Sequence, residues 1–301
     1  MNRRIFLLLV LGLALLPARF CFAETPPAVE RDGIRLLADL PYVTNGSPAQ
    51  RLDLYLPVKS TGVRPLVVWI HGGGWVGGSK KGVAAKPLID HGYAVASVEY
   101  RMSQEAIYPA QIEDCKAAIR WLRAHAAEYE FDPQRIGAWG ASAGGHLVSL
   151  LGTTGKIRDF DVGEDLDQSS AVQCVLDWFG PADFLHWQDA EKKQVDRADS
   201  LISKLFGGPV SGKQELARRG SPISFVSADS APHLIMHGDH DDLVPLQQSE
   251  DLNAALKKAG VESTLIVIPG AGHGGAQFMA PEHVREMAQF LDKHLQPKPT
   301  P

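Results

Sequence analysis

Several features that point to common protein functions are scarce or absent in this sequence. It has three cysteines, a formal net charge of −5 and no apolar run near the roughly 20 residues that a membrane-spanning helix needs. It also lacks an H-E-x-x-H zinc helix and the Lys-Ser/Thr ending of a nucleotide-binding loop. A zinc protease, a P-loop protein and a nucleic-acid-binding protein are therefore disfavoured.

What is present is the composition of an ordinary globular protein. Apolar residues make up 45% of the chain and charged residues 22%, over 301 residues. No internal repeat or low-complexity linker interrupts the sequence. The simplest organisation is one domain with one large core.

The first 23 residues have the pattern of a signal peptide. Arg3 and Arg4 precede an apolar run over residues 5–16, and small side chains follow at Cys21 and Ala23. Cleavage after Ala23 would remove three arginines and take the formal charge from −5 to −8. A lipid anchor on Cys21 is disfavoured because bulky residues precede it. We therefore expect a secreted or periplasmic protein without a membrane anchor after cleavage.

Cys115 and Cys174 are the cysteines outside this leader. An oxidising compartment permits a disulfide between them. Cys115 falls in a helical pattern and Cys174 in a strand pattern, so two separate buried thiols are the alternative. The sequence leaves both arrangements open.

Apolar runs alternate with helical patterns along most of the chain. Several runs are continuously apolar, as in strands that are covered on both faces. The predicted strands are residues 51–56, 66–70, 94–98, 135–139, 172–179, 233–236 and 263–268. The helical patterns are residues 110–127, 146–151, 246–258 and 283–295. This alternation predicts an α/β fold with a mostly parallel, doubly wound sheet flanked by helices.

Residues 182–231 break this alternation. They are charged, punctuated by Gly and Pro, and contain no clear strand. Segments inserted over the carboxyl ends of parallel strands commonly cover an active site, because loops there can vary without disturbing the core. We therefore predict a short lid-like insertion within a single domain that spans residues 24–301.

A Gly-x-Ser-x-Gly motif centred on Ser142 is the strongest functional signal. It begins at Gly140, directly after the predicted strand 135–139 and before the helical pattern 146–151. A serine in such a tight strand-to-helix turn is held out at the sheet edge, and the flanking glycines avoid clashes with neighbouring elements. A small-residue turn with an incidental serine is the alternative, and three further motifs count against it. Ser142 is the predicted nucleophile.

The first of these motifs is the glycine loop His71-Gly-Gly-Gly-Trp75, which follows the predicted strand 66–70. Backbone without side chains lets amides point at a substrate oxygen. We predict that the amides of Gly73, Gly74 and Ala143 form an oxyanion hole for a tetrahedral intermediate.

The other two motifs offer an acid and a base. Asp239, Asp241 and Asp242 follow the predicted strand 233–236, and His273 lies among glycines after strand 263–268. A histidine there can take the proton of the serine hydroxyl while a carboxylate orients its ring. A zinc site in the same run would use His237, Asp239, His240 and Asp241. That site is disfavoured because it would leave the serine motif without a role.

Together these motifs resemble those of the α/β-hydrolase esterases, over residues 50–295. The chain is most similar to the bacterial feruloyl-esterase-like and acetylxylan-esterase-like group, near the hormone-sensitive-lipase-like carboxylesterases. The resemblance implies the α/β-hydrolase fold and a serine ester hydrolase that needs no cofactor or metal. It implies Ser142 as nucleophile, His273 as base and Asp241 as acid, with Asp242 and Asp239 as alternatives.

The substrate is less defined than the chemistry. The resemblance implies acetyl or feruloyl (aryl) esters, either as small molecules or linked to plant polysaccharide. Trp75, Trp178 and Trp187 are candidates for stacking on an aryl group, although Trp178 in the core and Trp187 as packing for the insertion are alternatives. The rival functions are an arylformamidase or peptidase-like amide hydrolase of the same fold, and a non-catalytic binding protein.

Overall fold

The computed structural model describes residues 28–59, 62–187 and 196–296. The predicted signal peptide, residues 1–23, lies outside these ranges. In the described ranges, every helix is too short or too polar to cross a lipid bilayer.

Within the described residues, nine strands form one sheet in the order β1-β2-β3-β5-β4-β6-β7-β8-β9. The strands are β1 (Val29–Arg31), β2 (Ile34–Pro41), β3 (Arg51–Pro57), β4 (Arg64–Ile70), β5 (Ala94–Val98), β6 (Phe131–Ala141), β7 (Cys174–Trp178), β8 (His233–Gly238) and β9 (Ser263–Ile268). Neighbouring strands pair in parallel among β5, β4, β6, β7, β8 and β9, and antiparallel among β1, β2, β3 and β5. The predicted mostly parallel sheet is confirmed.

Strands β1 and β2 were not predicted from the sequence. They form the antiparallel edge of the sheet, and the pairing of β2 with β3 is irregular between Leu37 and Leu40. Asp39, inside this irregularity, has a left-handed backbone with φ of 59°. The bulge interrupts the alternation of apolar and polar residues, so no regular strand pattern is visible in the sequence.

The helices are α1 (Ala110–Ala124), α2 (Ala143–Thr153), α3 (Leu201–Phe206), α4 (Gln214–Gly220), α5 (Leu246–Lys258) and α6 (Pro281–Leu295). They cover both faces of the sheet. On β4, Leu66, Val68 and Ile70 pack with residues of α1 and α2, whereas Val67 and Trp69 pack with residues of α6. This alternation is the two-residue period of a strand that is buried on both faces.

The two cysteines lie on opposite faces of the sheet. Cys115 belongs to the apolar cluster on the α1 and α2 side, and Cys174 to the cluster on the α6 side. Both thiols are buried and free. The disulfide that the sequence left open is therefore absent between them, and the two buried thiols are confirmed.

The segment between β7 and β8 contains the predicted insertion. In its described parts, residues 182–187 and 196–231, helices and turns occur and strands do not. Helix α3 begins at Leu201 with a Ser200 cap, whose hydroxyl accepts a hydrogen bond from the Ser203 amide. Of this segment, Trp187, Ser200, Leu201 and Ile202 lie near the predicted site residues, since they line the same cavity as Ser142 and His273.

Glycines allow α2 to start in direct contact with the sheet. A Cβ atom on Gly144 would overlap the carbonyl oxygen of Ile70, at the end of β4, and one on Gly140 would overlap the carbonyl of Gly144. Only glycine fits at these two positions because the obstructing atoms are backbone atoms, which cannot rotate away.

His146 and His233 are two of the histidines that are buried in the fold. His146, on α2, accepts a hydrogen bond at Nδ1 from the Trp75 indole (3.2 Å), and its Nε2 lies 2.7 Å from the Gly220 carbonyl, to which it donates. His233 opens β8, with Nδ1 2.7 Å from the Ala231 carbonyl. Burial lowers the pKa of each to about 4. Both rings are therefore neutral at pH 7.

We expect Gly144→Ala to destabilise the fold strongly. The added methyl must displace backbone of β4, and overpacking of this kind costs about 1 to 3 kcal/mol or more. Gly212→Ala is the matched control, because Gly212 is exposed and a Cβ there meets nothing within 4 Å. Urea unfolding should separate the two variants, and equal midpoints would contradict the packing argument.

His146 and His233 predict how stability depends on pH. Their pKa of about 4 in the folded protein lies below the value of about 6.5 in the unfolded chain, so the unfolded chain binds more protons between these values. The free energy of unfolding should therefore fall as the pH drops from about 6.5 to about 4, by up to about 3 kcal/mol for each histidine.

Urea unfolding measured at about pH 7 and about pH 4.5 tests this dependence. His146→Gln should weaken it, because glutamine does not titrate, whereas His91→Asn at an exposed position should leave it unchanged. The same pH dependence in His146→Gln and in the unmodified protein would count against a buried neutral ring.

Candidate active site

Ser142 occupies a sharp turn between β6 and α2. Its backbone is left-handed, with φ of 57° and ψ of −120°, which is uncommon for a residue with a side chain. The Ser142 amide donates to the Trp178 carbonyl at 2.8 Å, and the Ser142 carbonyl accepts from the His146 amide at 2.9 Å. These bonds hold the turn, so the hydroxyl stands at the carboxyl edge of the sheet.

His273 reaches Ser142 from the loop after β9. Its Nε2 atom lies 2.8 Å from Ser142 Oγ, and its Nδ1 atom lies 2.7 Å from Asp241 Oδ2. The ring of Phe179 packs beside it, with centroids 4.6 Å apart. Three side chains that follow three different strands are thus joined by two hydrogen bonds.

Asp241 is a buried carboxylate with several hydrogen-bond donors. The Leu243 and Val244 amides both donate to Oδ1 at 2.9 Å. Burial by itself would raise the pKa of Asp241, but the hydrogen bonds from His237, His273 and the Val244 amide outweigh it and hold the pKa well below its usual range. Asp241 is therefore ionised at neutral pH.

His237 supports this carboxylate, a contact that sequence reasoning missed. Its buried Nε2 atom lies 3.1 Å from Asp241 Oδ2 and 2.9 Å from the Val244 carbonyl. Both neighbours are acceptors, so Nε2 carries the proton, while Nδ1 faces the Ser249 hydroxyl at 2.7 Å. The available signal was the position of His237 at the start of the His-Gly-x-x-Asp motif.

The alternative carboxylates lie elsewhere. Asp239 pairs with His240 (2.6 Å) and accepts from the Gly270 amide (2.6 Å), and Asp242 is exposed. Within the ranges that the structure describes, no three His, Cys, Asp or Glu side chains are arranged to hold a metal ion.

The glycine loop lies against the turn of Ser142. A Cβ atom on Gly72 would lie 2.7 Å from the Ala141 carbonyl oxygen and 3.3 Å from the Cβ of Ser142. Gly73 and Gly74 have left-handed backbones, with φ of 112° and 61°. Ala143 is the first residue of α2, so its amide has no partner within the helix. Amides from two chain segments thus lie next to Ser142.

His71 and Tyr100 support this loop from the core side. The Tyr100 hydroxyl donates to the His71 carbonyl at 3.1 Å, and the two rings stack with centroids 4.6 Å apart. The His71 Nε2 atom lies 3.1 Å from the Glu99 carboxylate. The first residue of the loop is therefore anchored before the glycines begin.

A cavity of about 460 Å³ opens above Ser142. Its lining residues are Gly72, Gly73, Gly74, Trp75, Ala141, Ser142, Phe179, Pro181, Trp187, Ser200, Leu201, Ile202, Leu243, Val244 and His273. None of these is Asp, Glu, Lys or Arg. The described walls are therefore suited to an uncharged group in contact with apolar side chains.

The three tryptophans proposed to contact an aryl group lie in different surroundings in the structure. Trp75 and Trp187 line the cavity, but Trp178 does not, so the expectation that it contacts a ligand is wrong. Trp178 packs edge-to-face with Trp69 and Trp139, on the face of the sheet that α6 covers. At the end of β7 its side chain points to that face, and the next residue, Phe179, turns into the cavity.

Known proteins similar to this chain include a matching family model and named esterases. A family model described as BD-FAE matches residues 52–256. A protein of Mycobacterium tuberculosis named "Probable carboxylic ester hydrolase LipM" is 34% identical over 208 residues, which are 67% of this chain and 47% of LipM. The chain spans about half the length of the curated relatives that it matches.

Solved structures match over more of their own length. A truncated carbohydrate esterase from gut microbiota has a TM-score of 0.80 and 33% identity, over 87% of this chain and 96% of the other. The esterase Est2 of Thermogutta terrifontis has a TM-score of 0.69 and 27% identity, over 92% of this chain and 96% of the other. The resemblance indicated by the motifs is confirmed: the chain belongs to the BD-FAE family of esterases with the α/β-hydrolase fold.

Proposed function

We propose that this chain is a serine carboxylic ester hydrolase that works through an acyl-enzyme on Ser142. The observation that carries the proposal is the hydrogen-bonded series Ser142, His273 and Asp241 beneath an uncharged cavity. A serine hydroxyl is too weak an acid to attack an ester unaided. His273 takes its proton at Nε2 as Oγ bonds to the ester carbonyl carbon.

Asp241 acts through His273. Its carboxylate accepts a hydrogen bond from the Nδ1–H group, so Nε2 is left as the base, and it stabilises the imidazolium that forms. His273 then donates its proton to the leaving alcohol, and the acyl group remains on Ser142. Water, deprotonated by the same ring, attacks the acyl-enzyme and releases the acid.

The negative charge on the carbonyl oxygen needs fixed donors. The amides of Gly73, Gly74 and Ala143 are proposed to supply them, each worth roughly 3 kcal/mol of the barrier. The left-handed glycines and the close approach of Gly72 to the Ser142 turn support this assignment.

The proposed substrates are acetyl or feruloyl (aryl) esters, carried by plant polysaccharide or by related small molecules. The similar carbohydrate esterase supports a sugar-linked ester, and the aromatic walls at Trp75 and Trp187 suit an aryl group. We also propose export to the periplasm or outside the cell, because residues 1–23 have the pattern of a signal peptide.

A panel of esters tests this function with the chain lacking residues 1–23. The panel contains p-nitrophenyl acetate, butyrate and octanoate, methyl ferulate, acetylated xylan, and an aryl-formamide as the amide alternative. We expect ester turnover in the unmodified protein and a fall of about 10⁴-fold or more in kcat for Ser142→Ala. If the folded protein cleaves the formamide and none of the esters, the proposed ester hydrolysis is wrong and amide hydrolysis takes its place.

The role of Asp241 is tested against its exposed neighbour. Asp241→Asn should lower kcat by roughly 10³- to 10⁴-fold, because an amide group cannot hold the same imidazole tautomer or stabilise the imidazolium. Asp242→Asn should stay within about twofold of the unmodified protein, since Asp242 is exposed. Steady-state kinetics on one ester suffices. Equal losses of kcat in the two variants would contradict the assignment of Asp241 as the acid.

A further inference from the structure

Two exposed leucines stand at the mouth of the cavity. Leu201 is 46% exposed and Leu243 is 66% exposed, and both belong to the cavity lining. Single exposed apolar side chains are common on protein surfaces, but these two line the same cavity as Ser142 and His273 and are therefore placed to contact a substrate. A substrate that fills the cavity would cover part of both side chains.

The two leucines stand next to different parts of the site. Leu201 lies over the glycine loop, since a Cβ atom on Gly74 would be 2.6 Å from Leu201 Cδ1. Leu243 lies on the acid loop, where its amide donates to Asp241, the partner of His273. One leucine therefore adjoins the proposed oxyanion donors, and the other adjoins the base.

In ester hydrolysis the two leucines would contact different parts of the substrate. The leaving alcohol must lie where His273 Nε2 can protonate it, which is the side of the acid loop. The acyl chain extends away from His273, toward the glycine loop, where Leu201 lies over Gly74 and the next residue, Trp75, lines the cavity. This acyl side is apolar, and a cavity of about 460 Å³ holds far more than an acetyl group.

We propose that Leu201 sets the acyl preference and Leu243 the alcohol preference, and that, within the substrate class proposed above, the site favours uncharged apolar acyl groups larger than acetyl over acetyl itself. This proposal rests on the proposed ester hydrolysis at Ser142. Each methylene added to the acyl chain should raise kcat/KM by up to about fourfold until the apolar side is filled.

The test measures kcat/KM for two ester series with three variants. One series changes the acyl group, as p-nitrophenyl acetate, butyrate and octanoate. The other changes the alcohol, as methyl, butyl and octyl butyrate. The ratio of variant to unmodified protein is compared for each ester, because the intrinsic reactivity of the leaving group cancels in that ratio.

Leu201→Ala should lower kcat/KM for the octanoate ester roughly five- to tenfold relative to the acetate, and leave the ranking of alcohols unchanged. Leu243→Ala should do the reverse, with the loss confined to the longer alcohols. Leu166→Ala is the matched control, since Leu166 is 42% exposed and lies outside the cavity lining, and it should change neither series.

Equal effects of both variants on both series would overturn the assignment of the two sides. An unmodified protein that prefers acetate to butyrate would overturn the preference for larger acyl groups. Both results require that esters are hydrolysed, so they leave the proposed function intact. Absence of turnover with every ester in both series would instead overturn the proposed function itself.

Discussion

Helix α2 begins in contact with the ends of β4 and β6, and the position of Ser142 depends on that contact. Gly144 meets the Ile70 carbonyl and Gly140 meets Gly144, so no side chain separates helix from sheet. The chain can reverse this sharply only if the residue between them adopts a left-handed backbone, which Ser142 does. The same contact brings the glycine loop after β4 next to the serine, because that loop starts at the strand that α2 touches.

The negative charge of the site lies on Asp241, on the side of His273 that faces away from Ser142, and the described wall of the cavity is uncharged. The Asp241 carboxylate is buried, and backbone amides and two histidines satisfy it. A buried charge is stable only with such partners, and the low polarity of its surroundings strengthens each of these bonds. The described cavity wall carries no carboxylate, ammonium or guanidinium. An uncharged ester therefore meets a polar hydrogen-bond series at one point and apolar surface elsewhere.

Sequence patterns predicted the features that depend on local chemistry. The parallel strands read as continuous apolar runs because both of their faces are covered, and the glycines around Ser142 mark a turn that other residues cannot form. The antiparallel edge was not predicted, since a bulge at Asp39 breaks the pattern of β2. The sequence left open whether Trp178 faces the core or a ligand, because a strand end can turn a side chain to either face.

What the sequence determined by itself was the alternation of the parallel strands with helices, the turn at Ser142 and the glycine loop, all of which rest on residues close together in the chain. The family resemblance implied Asp241 as the acid, but only the tertiary structure decided that His237 supports it and that Cys115 and Cys174 lie on opposite faces. These features depend on segments that are far apart in the sequence and are brought together, or kept apart, by packing. Spacing along a sequence constrains such contacts only weakly, because many loop paths bring the same strand ends to one sheet edge.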